Sequence, residues 1–341
     1  MSTPRTIAPT RRSLLTAGGA LGIGALLTAC GGGTSSSDGA SDTDKGGAWT
    51  FKDDRGQTVK RDRTPQRIVA FTGTAAALHD FGVECVGVFG PTKLKDGKPD
   101  PQAGDLDVDK LTVLGNAWGE FNIEKYAGLR ADLLVSNMFE PEALWYVPEE
   151  SKKKILGLAP SVGLTAARVP MLEPIKRYAA LAESLGADLK AKKVTDAKAR
   201  FEAAAETLRK AAKANPVKVM AASGSADLFY VSNPAVNADL MYFRELGVDF
   251  VVPEKLDQGG YFESLSWENA DKYQADLVLL DSRTSALQPK DLAAKPTWEK
   301  LPAVKAGQVS PWLSEPRFSY AGCAPLLEAL ASAIEKAKKT S

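Results

Sequence analysis

The chain has 341 residues, 44% hydrophobic and 25% charged, with a formal net charge of +1. That balance describes a soluble globular body and argues against nucleic acid or a strongly anionic surface as its main partner. The length exceeds one ordinary core and leaves room for two domains. Three cysteines and one histidine exclude a disulfide framework. They also fail to supply the several imidazoles of a zinc or manganese binder, or the histidine a hydrolase sets beside its nucleophile.

In chain order, Arg11 and Arg12 give a positive start. Leu14 to Ala29 is a Gly- and Ala-rich apolar run too short for a membrane span, which predicts a removable signal peptide over 1–30. Thr10-Arg11-Arg12-Ser13-Leu14-Leu15 looks like a twin-arginine export signal. Leu27-Thr28-Ala29-Cys30 looks like a lipobox, in which Cys30 is acylated. The Gly-, Ser- and Asp-rich stretch 31–48 has little to bury and is read as a flexible tether. The body is therefore expected outside the cell, lipid-anchored at the outer face of the cytoplasmic membrane.

From Trp49 the pattern alternates. Trp49–Lys52 and Gln57–Arg61 flank the turn residues Asp53-Asp54-Arg55-Gly56 and predict a hairpin. Strands are expected at Ile68–Phe71, Val86–Phe89, Leu111–Leu114 and Leu133–Ser136, with helices at Thr74–Phe81, stopped by Gly82, and at Ile123–Leu129. This βαβ order predicts a parallel sheet covered on both faces. Between Leu172 and Ala214 two helices are expected, broken at Gly186-Ala187-Asp188, with Asp188 as N-cap of a long helix from Leu189. Alternation then resumes: strands at Val217–Ala221, Phe229–Ser232, Phe250–Val252 and Leu277–Asp281, and helices at Ala238–Leu246, Trp267–Tyr273 and Cys323–Lys338. The expected organisation is an α/β lobe over 49–171, a helical connector over 172–214 and a second α/β lobe over 215–341. No crossing strands form a hinge, so the lobes should move little. His79 falls inside a helix and reads as a packed or surface residue. Cys85 and Cys323 could pair or stay apart.

These pieces carry a resemblance. Pro65-Gln66-Arg67-Ile68-Val69, Leu78 to Gly82 before Val86-Gly87-Val88, Asn122-Ile123-Glu124-Lys125 before Ala131-Asp132-Leu133-Leu134-Val135, Leu246-Gly247, Trp267-Glu268 and Ala275-Asp276-Leu277-Val278-Leu279 stand in one order and spacing. Together with the lipobox they resemble the class III substrate-binding proteins of ABC importers, specifically iron-siderophore lipoproteins including the ferrioxamine-type binders of actinobacteria. The resemblance implies two Rossmann-like α/β lobes joined by a long helix, with a ligand cleft between them. It also implies capture of a ferric siderophore, of hydroxamate type, and its delivery to a membrane permease, with no enzymatic step and no cofactor. Family members commonly dock their permease through a glutamate six residues before the helix-ending glycine of each lobe. Here those positions hold Ala76 and Met241, which leaves neighbours such as Asp80, Glu84, Asp239 and Glu245 as alternatives.

In open parallel sheets ligands gather beyond the C-terminal strand ends. The loops there carry Asn116, Trp118, Met138, Phe139, Trp145, Tyr146, Arg168, Tyr230, Tyr261, Phe262, Trp312, Arg317 and Tyr320, the candidate ligand-binding residues. Flat aromatic faces suit the apolar exterior of a ferric chelate, and guanidinium donors suit the oxygens around its metal. Iron would be held by the chelator, so no metal ligand is expected from the protein. The acidic loop Asp96 to Asp109 lacks the spacing of a calcium loop. A cobalamin or haem binder would share the fold. An esterase would need a nucleophile beside a base, and no Gly-x-Ser-x-Gly elbow is present.

Overall fold

The computed structural model describes residues 47–340. The expected export signal, Cys30 and the expected tether up to residue 46 lie outside them. The first lobe opens with the antiparallel hairpin β1 (Trp49–Lys52) and β2 (Thr58–Arg61), then runs β3 (Ile68–Phe71), α1 (Thr72–Asp80), β4 (Gly87–Phe89), β5 (Thr112–Val113), α2 (Ile123–Leu129), β6 (Leu133–Met138), α3 (Lys152–Leu156) and β7 (Ser161–Thr165). Five strands form one parallel sheet in the order β5-β4-β3-β6-β7. All four side chains of β3 and all six of β6 are buried, as a strand covered by elements on both faces requires. Local signals set the boundaries. The Asn122 side chain accepts from Lys125 N at the start of α2, and Gly82 at φ +96 ends the turn after α1.

Two helices follow, α4 (Leu172–Ser184) and α5 (Lys192–Ala214). The expected start of the long helix at Leu189 is three residues early. Asp188 instead closes a turn, its carboxylate accepting from Lys190 N at 2.9 Å and its carbonyl from Ala191 N at 3.0 Å. The helix has 23 residues, about 35 Å of rise. Val194, Phe201, Ala204, Ala205, Leu208, Ala211 and Ala212 form its buried stripe, the spacing of one helix face.

The second lobe comprises β8 (Lys218–Gly224), β9 (Leu228–Ser232), α6 (Ala238–Glu245), β10 (Asp249–Phe250), β11 (Phe262–Ser266), β12 (Leu277–Asp281), the short helices α7 (Pro289–Leu292) and α8 (Pro302–Lys305), β13 (Val309–Trp312) and the closing helix α9 (Tyr320–Lys336). Its sheet runs β11-β9-β8-β12-β13, with β10 also on β8. This sheet is mixed where the first is parallel, because β9 is antiparallel to both β8 and β11. The helix expected at Trp267–Tyr273 is one 3-10 turn over Trp267–Asn269. Beyond it Lys272 and Tyr273 fold back onto the Glu263 carboxylate at 2.6 Å each, which draws the segment off a helical path.

The lobes share a spine. Helix α5 packs along α9, and Arg200 grips Glu328 through two 2.7 Å bonds. One apolar core runs from the hairpin (Trp49, Phe51) through α1 and α4 to α5 and α9 (Leu327, Leu330, Ile334). Nearby, Arg317 reaches from the second lobe to Asp80 at 3.1 Å and Asp105 at 3.0 Å in the first. Its side chain fills a slot between two glycines. A Cβ on Gly104 would lie 1.6 Å from the Arg317 Nη1, and one on Gly322 2.2 Å from its Cγ.

Candidate ligand-binding site

Between them the lobes leave a cleft of about 580 Å³, the size of a small-molecule site. The first lobe supplies an aromatic wall from the segment after β6. Its loop folds back onto the strand, with Trp145 N donating to Asn137 O at 2.8 Å and Ser136 Oγ to Trp145 O at 2.8 Å. Rings then stack edge to face. Trp145 lies 4.9 Å from Phe139 and 4.8 Å from Trp118, and Trp118 lies 5.0 Å from Tyr146. Tyr146 takes φ 60 and packs 5.4 Å from Phe71. Gly90 has no alternative there, since a Cβ would meet the Phe71 ring at 2.6 Å. Trp118 keeps 64% of its surface exposed. A large indole left open beside a cleft is a surface waiting for an apolar partner.

The second lobe supplies a wall of hydroxyls and charge. Asp281, fully buried at the end of β12, accepts from Ser223 Oγ at 3.0 Å, Ser314 Oγ at 3.1 Å and Arg283 Nη2 at 2.6 Å. Arg283 Nη1 also donates to Glu315. Burial alone would lower the guanidinium pKa, but Glu315 and Asp281 outweigh it and raise it, so Arg283 is a fixed cation. Glu315 in turn accepts from Trp145 Nε1 at 3.1 Å and Gln102 Nε2 at 3.4 Å. The ion cluster of one lobe thereby orients the indole of the other. Tyr230 and Ser232 point from the same face of β9 into the cleft, and the antiparallel ribbon with β11 brings Phe262 opposite Ser232. Trp312 is aimed by Asp239, its Nε1 donating to the carboxylate at 2.6 Å. Burial holds that carboxyl up at about 6.

At the rim Arg168, at φ 62, joins the lobes. Its Nη1 donates to Phe139 O at 2.6 Å and Tyr261 Oη at 3.0 Å, and its Nη2 to Gly259 O at 2.8 Å and to both Glu140 oxygens at 3.2 Å. The Tyr261 hydroxyl also donates to Phe139 O. Burial pushes that phenol up to about 12, which keeps it protonated as a donor.

Of the thirteen residues expected at the site, Phe139, Trp145, Tyr230, Tyr261, Phe262 and Trp312 line the cleft. Trp118 and Tyr146 extend its aromatic wall, and Arg168 buttresses the rim. Asn116 holds a neighbouring loop, accepting from Thr92 N and Lys93 N at 3.0 and 2.8 Å. The remaining three are committed elsewhere. Met138 is buried in the first lobe's core, because the last position of β6 points inward. Arg317 is occupied by Asp80 and Asp105. Tyr320, opening α9, stacks on Phe81 and Phe201 along the spine. The sequence reading missed Ser223, Asp281, Arg283, Ser314 and Glu315. The available signal was an aspartate closing the apolar run Leu277–Leu280, a position where only a partnered carboxylate is stable.

Other sites can be placed as well. Ala76 is buried and Met241 half-buried; Asp80 and Asp239 are buried and engaged, whereas Glu84 and Glu245 are exposed. His79 pairs with Glu84 at 2.8 Å on the surface of α1. Cys85 and Cys323 are free and buried. Among the described residues no group of three or more His, Cys, Asp or Glu side chains could hold a metal ion, and no helix is long and apolar enough to cross a membrane.

The chain is similar to known binding proteins. It is 58% identical to the crystal structure of DesE, a ferric-siderophore receptor protein from Streptomyces coelicolor, covering 86% of this chain and 100% of that one with a TM-score of 0.83. It is 25% identical over 294 residues to the iron(3+)-hydroxamate-binding protein FhuD of Bacillus subtilis strain 168, covering 84% of this chain and 85% of that protein. Staphylococcus aureus SirA, solved with staphyloferrin B, shares the fold at 20% identity and a TM-score of 0.60, covering 85% and 99%. Two α/β lobes bridged by a long helix are the class III periplasmic-binding architecture. The periplasmic binding protein model matches residues 71–315, from the end of β3 to the Glu315 that closes the cleft's ion cluster, and the chain belongs to that family.

Proposed function

We propose that this protein is the extracytoplasmic substrate-binding component of an ABC importer, capturing a ferric siderophore of hydroxamate type and presenting it to a membrane permease. One observation carries the reading: the cleft sets a wall of stacked aromatic rings opposite a half-buried, permanently charged arginine. A tris-chelate has an apolar exterior and a patch of partly negative oxygens around its metal. The rings of Trp118, Trp145 and Phe139 cover the first. Arg283 has five N–H groups, and its bonds to Asp281 and Glu315 leave two N–H groups for the second. Iron stays with its chelator throughout. The 58% identity to a ferric-siderophore receptor and the likeness to a hydroxamate-binding protein favour the same ligand class.

The lobes share one apolar core along the spine, so binding uses a largely preformed cleft. Exposed Glu84 and Glu245 are the acids we assign to permease docking in place of Ala76 and Met241. Acylation of Cys30 would hold the receptor at the outer face of the cytoplasmic membrane, close to its permease.

Tryptophan fluorescence tests the proposal by titration with ferric trihydroxamates, ferric catecholates, ferric citrate, haem and cobalamin. The expected result is quenching with submicromolar affinity by a ferric trihydroxamate and weaker response to the others. Saturation by haem or cobalamin alone would overturn it.

A further inference from the structure

A second cavity, of about 530 Å³, opens between strand β2, helix α3 and the start of β7, and it shares no lining residue with the interlobe cleft. Its buried member is Arg55. The turn that carries this residue lies along the edge strand β7, with Asp54 N donating to Gly163 O at 3.1 Å and Gly163 N to Asp53 Oδ2 at 3.0 Å. The Asp53 carboxylate, 0% exposed, also accepts from Arg55 Nε at 2.6 Å and from the backbone N–H groups of Arg55 and Gln57 at 3.0 Å each. Arg55 Nη2 donates to Ser161 O at 2.6 Å and to Ser161 Oγ at 3.1 Å.

A guanidinium has five N–H groups, and these bonds use the three on Nε and Nη2. The two on Nη1 have no partner among the described residues, although the side chain is only 6% exposed. This Nη1 is not sealed in, as the unpartnered Nη1 of Arg317 is; Arg55 lines the cavity, and its free edge opens there. Asp53 already fixes the guanidinium, so a ligand gains two donors without having to order them. Two ammonium groups join it. Lys60 lines the cavity from β2 at an exposed position with no ion-pair partner among the described residues, and Lys152 comes from α3, held at 3.2 Å by a Glu149 that is itself 82% exposed. One carboxylate stands among them: Glu142, exposed at φ 63 and also unpaired among the described residues.

The donors arrive from three separate elements. A carboxylate presents its lone pairs in one plane, whereas a tetrahedral phosphate presents oxygens to donors from several directions. Glu142 opposes a bare phosphate by like charge, and a hydroxyl on the ligand turns that opposition into a hydrogen bond. We propose that this cavity binds a phosphate ester of a polyol, glycerol phosphate being the simplest. The phosphate oxygens accept from Arg55 Nη1, Lys60 and Lys152, and a hydroxyl of the polyol donates to Glu142. The same unit exists as a free phosphoester and as the headgroup of a glycerophospholipid.

Calorimetric titration of the full chain with glycerol 3-phosphate, with inorganic phosphate and with glycerol tests this. The expected result is a Kd below about 1 mM for the ester, about fivefold weaker binding of inorganic phosphate and none of glycerol. Lys60→Ala, at an exposed and unpaired position, is expected to keep the thermal midpoint and to weaken the ester about fivefold. Arg55→Lys keeps a cation beside Asp53 but removes the free Nη1 donors, and is expected to weaken the ester about tenfold. Glu142→Ala is expected to bring the ester and inorganic phosphate within about twofold of each other. Sedimentation with phosphatidylcholine vesicles, with and without phosphatidylglycerol, identifies the source. A phosphatidylglycerol-dependent pellet that Lys60→Ala lowers marks a headgroup site, and its absence beside binding of the soluble ester marks a site for the free phosphoester. No heat from the ester, tighter binding of inorganic phosphate, or binding that Lys60→Ala and Arg55→Lys both leave unchanged would overturn the proposal.

Discussion

The two walls of the cleft are built by opposite means. The first lobe presents Phe139, Trp145, Trp118 and Tyr146, rings held by other rings, and its sheet is parallel throughout. The second presents Asp281, Arg283 and Glu315 in a closed ion cluster, flanked by side chains from an antiparallel ribbon. Ring surfaces are tolerant of ligand shape, because dispersion and apolar burial are non-directional. A fixed guanidinium between two carboxylates is demanding of geometry and sign. The contrast suggests that affinity comes from one lobe and orientation from the other, with the Trp145–Glu315 bond coupling them.

The largest expected effect is on the charged wall. Arg283→Met leaves Asp281 and Glu315 buried without their cation, so urea denaturation should report a loss of about 3–5 kcal/mol, together with weaker binding. On the aromatic wall, Trp145→Ala should lower ligand affinity about 100-fold, roughly 2.7 kcal/mol, while costing less stability than Arg283→Met. Equal stability losses in the two variants would erase the division between the walls. Next comes Asp239, which aims Trp312. Burial raises its folded-state carboxyl to about 6 from 3.8, so the protonated form is favoured by folding. Its contribution is complete below about pH 4 and is lost as pH rises through 6, in total about 3 kcal/mol for a rise of that size. Asp239→Asn should therefore be more stable than the native protein at pH 7 and lose that advantage at pH 4. Urea midpoints at both values check this, and parallel curves would refute it. The smallest effect belongs to Trp118, whose indole is largely exposed before ligand arrives. Trp118→Ala should weaken binding about fivefold, near 1 kcal/mol, with no change in unfolding midpoint.

Much of the scaffold was legible because its signals are local. The apolar runs of β3 and β12 and the Asn122-capped α2 stand where their residues predict. Strands β7 and β11 were missed. Ser161–Thr165 has glycine at its centre, and Phe262–Ser266 alternates with glutamate and serine, so neither reads as a buried run. The aromatic half of the site was readable from large rings in polar loops. Its charged half was not, since Asp281, Arg283 and Glu315 acquire meaning when β12 and the segment after β13 lie side by side. Arg317 misled for the mirrored reason. An arginine in a loop looks available, and its commitment to Asp80 and Asp105 is a tertiary fact.

The arginine slot also constrains how this lineage could change. Gly104 and Gly322 are far apart in sequence, yet each is small because the Arg317 side chain passes through the space a methyl group would occupy. A side chain at either glycine collides with the arginine, and loss of the arginine strands the buried Asp80, whose carboxyl burial already pushes above its usual range. Replacing any one of these residues first is therefore harmful, and loss of the arginine alone does not free the glycines, since Gly104 holds φ +54 and a Cβ on Gly322 would also meet the Arg317 carbonyl oxygen at 2.5 Å. Among relatives that keep this seam the three positions should be inherited as a unit, so that their joint presence marks descent with the same lobe-to-lobe tie more faithfully than any residue of the cleft.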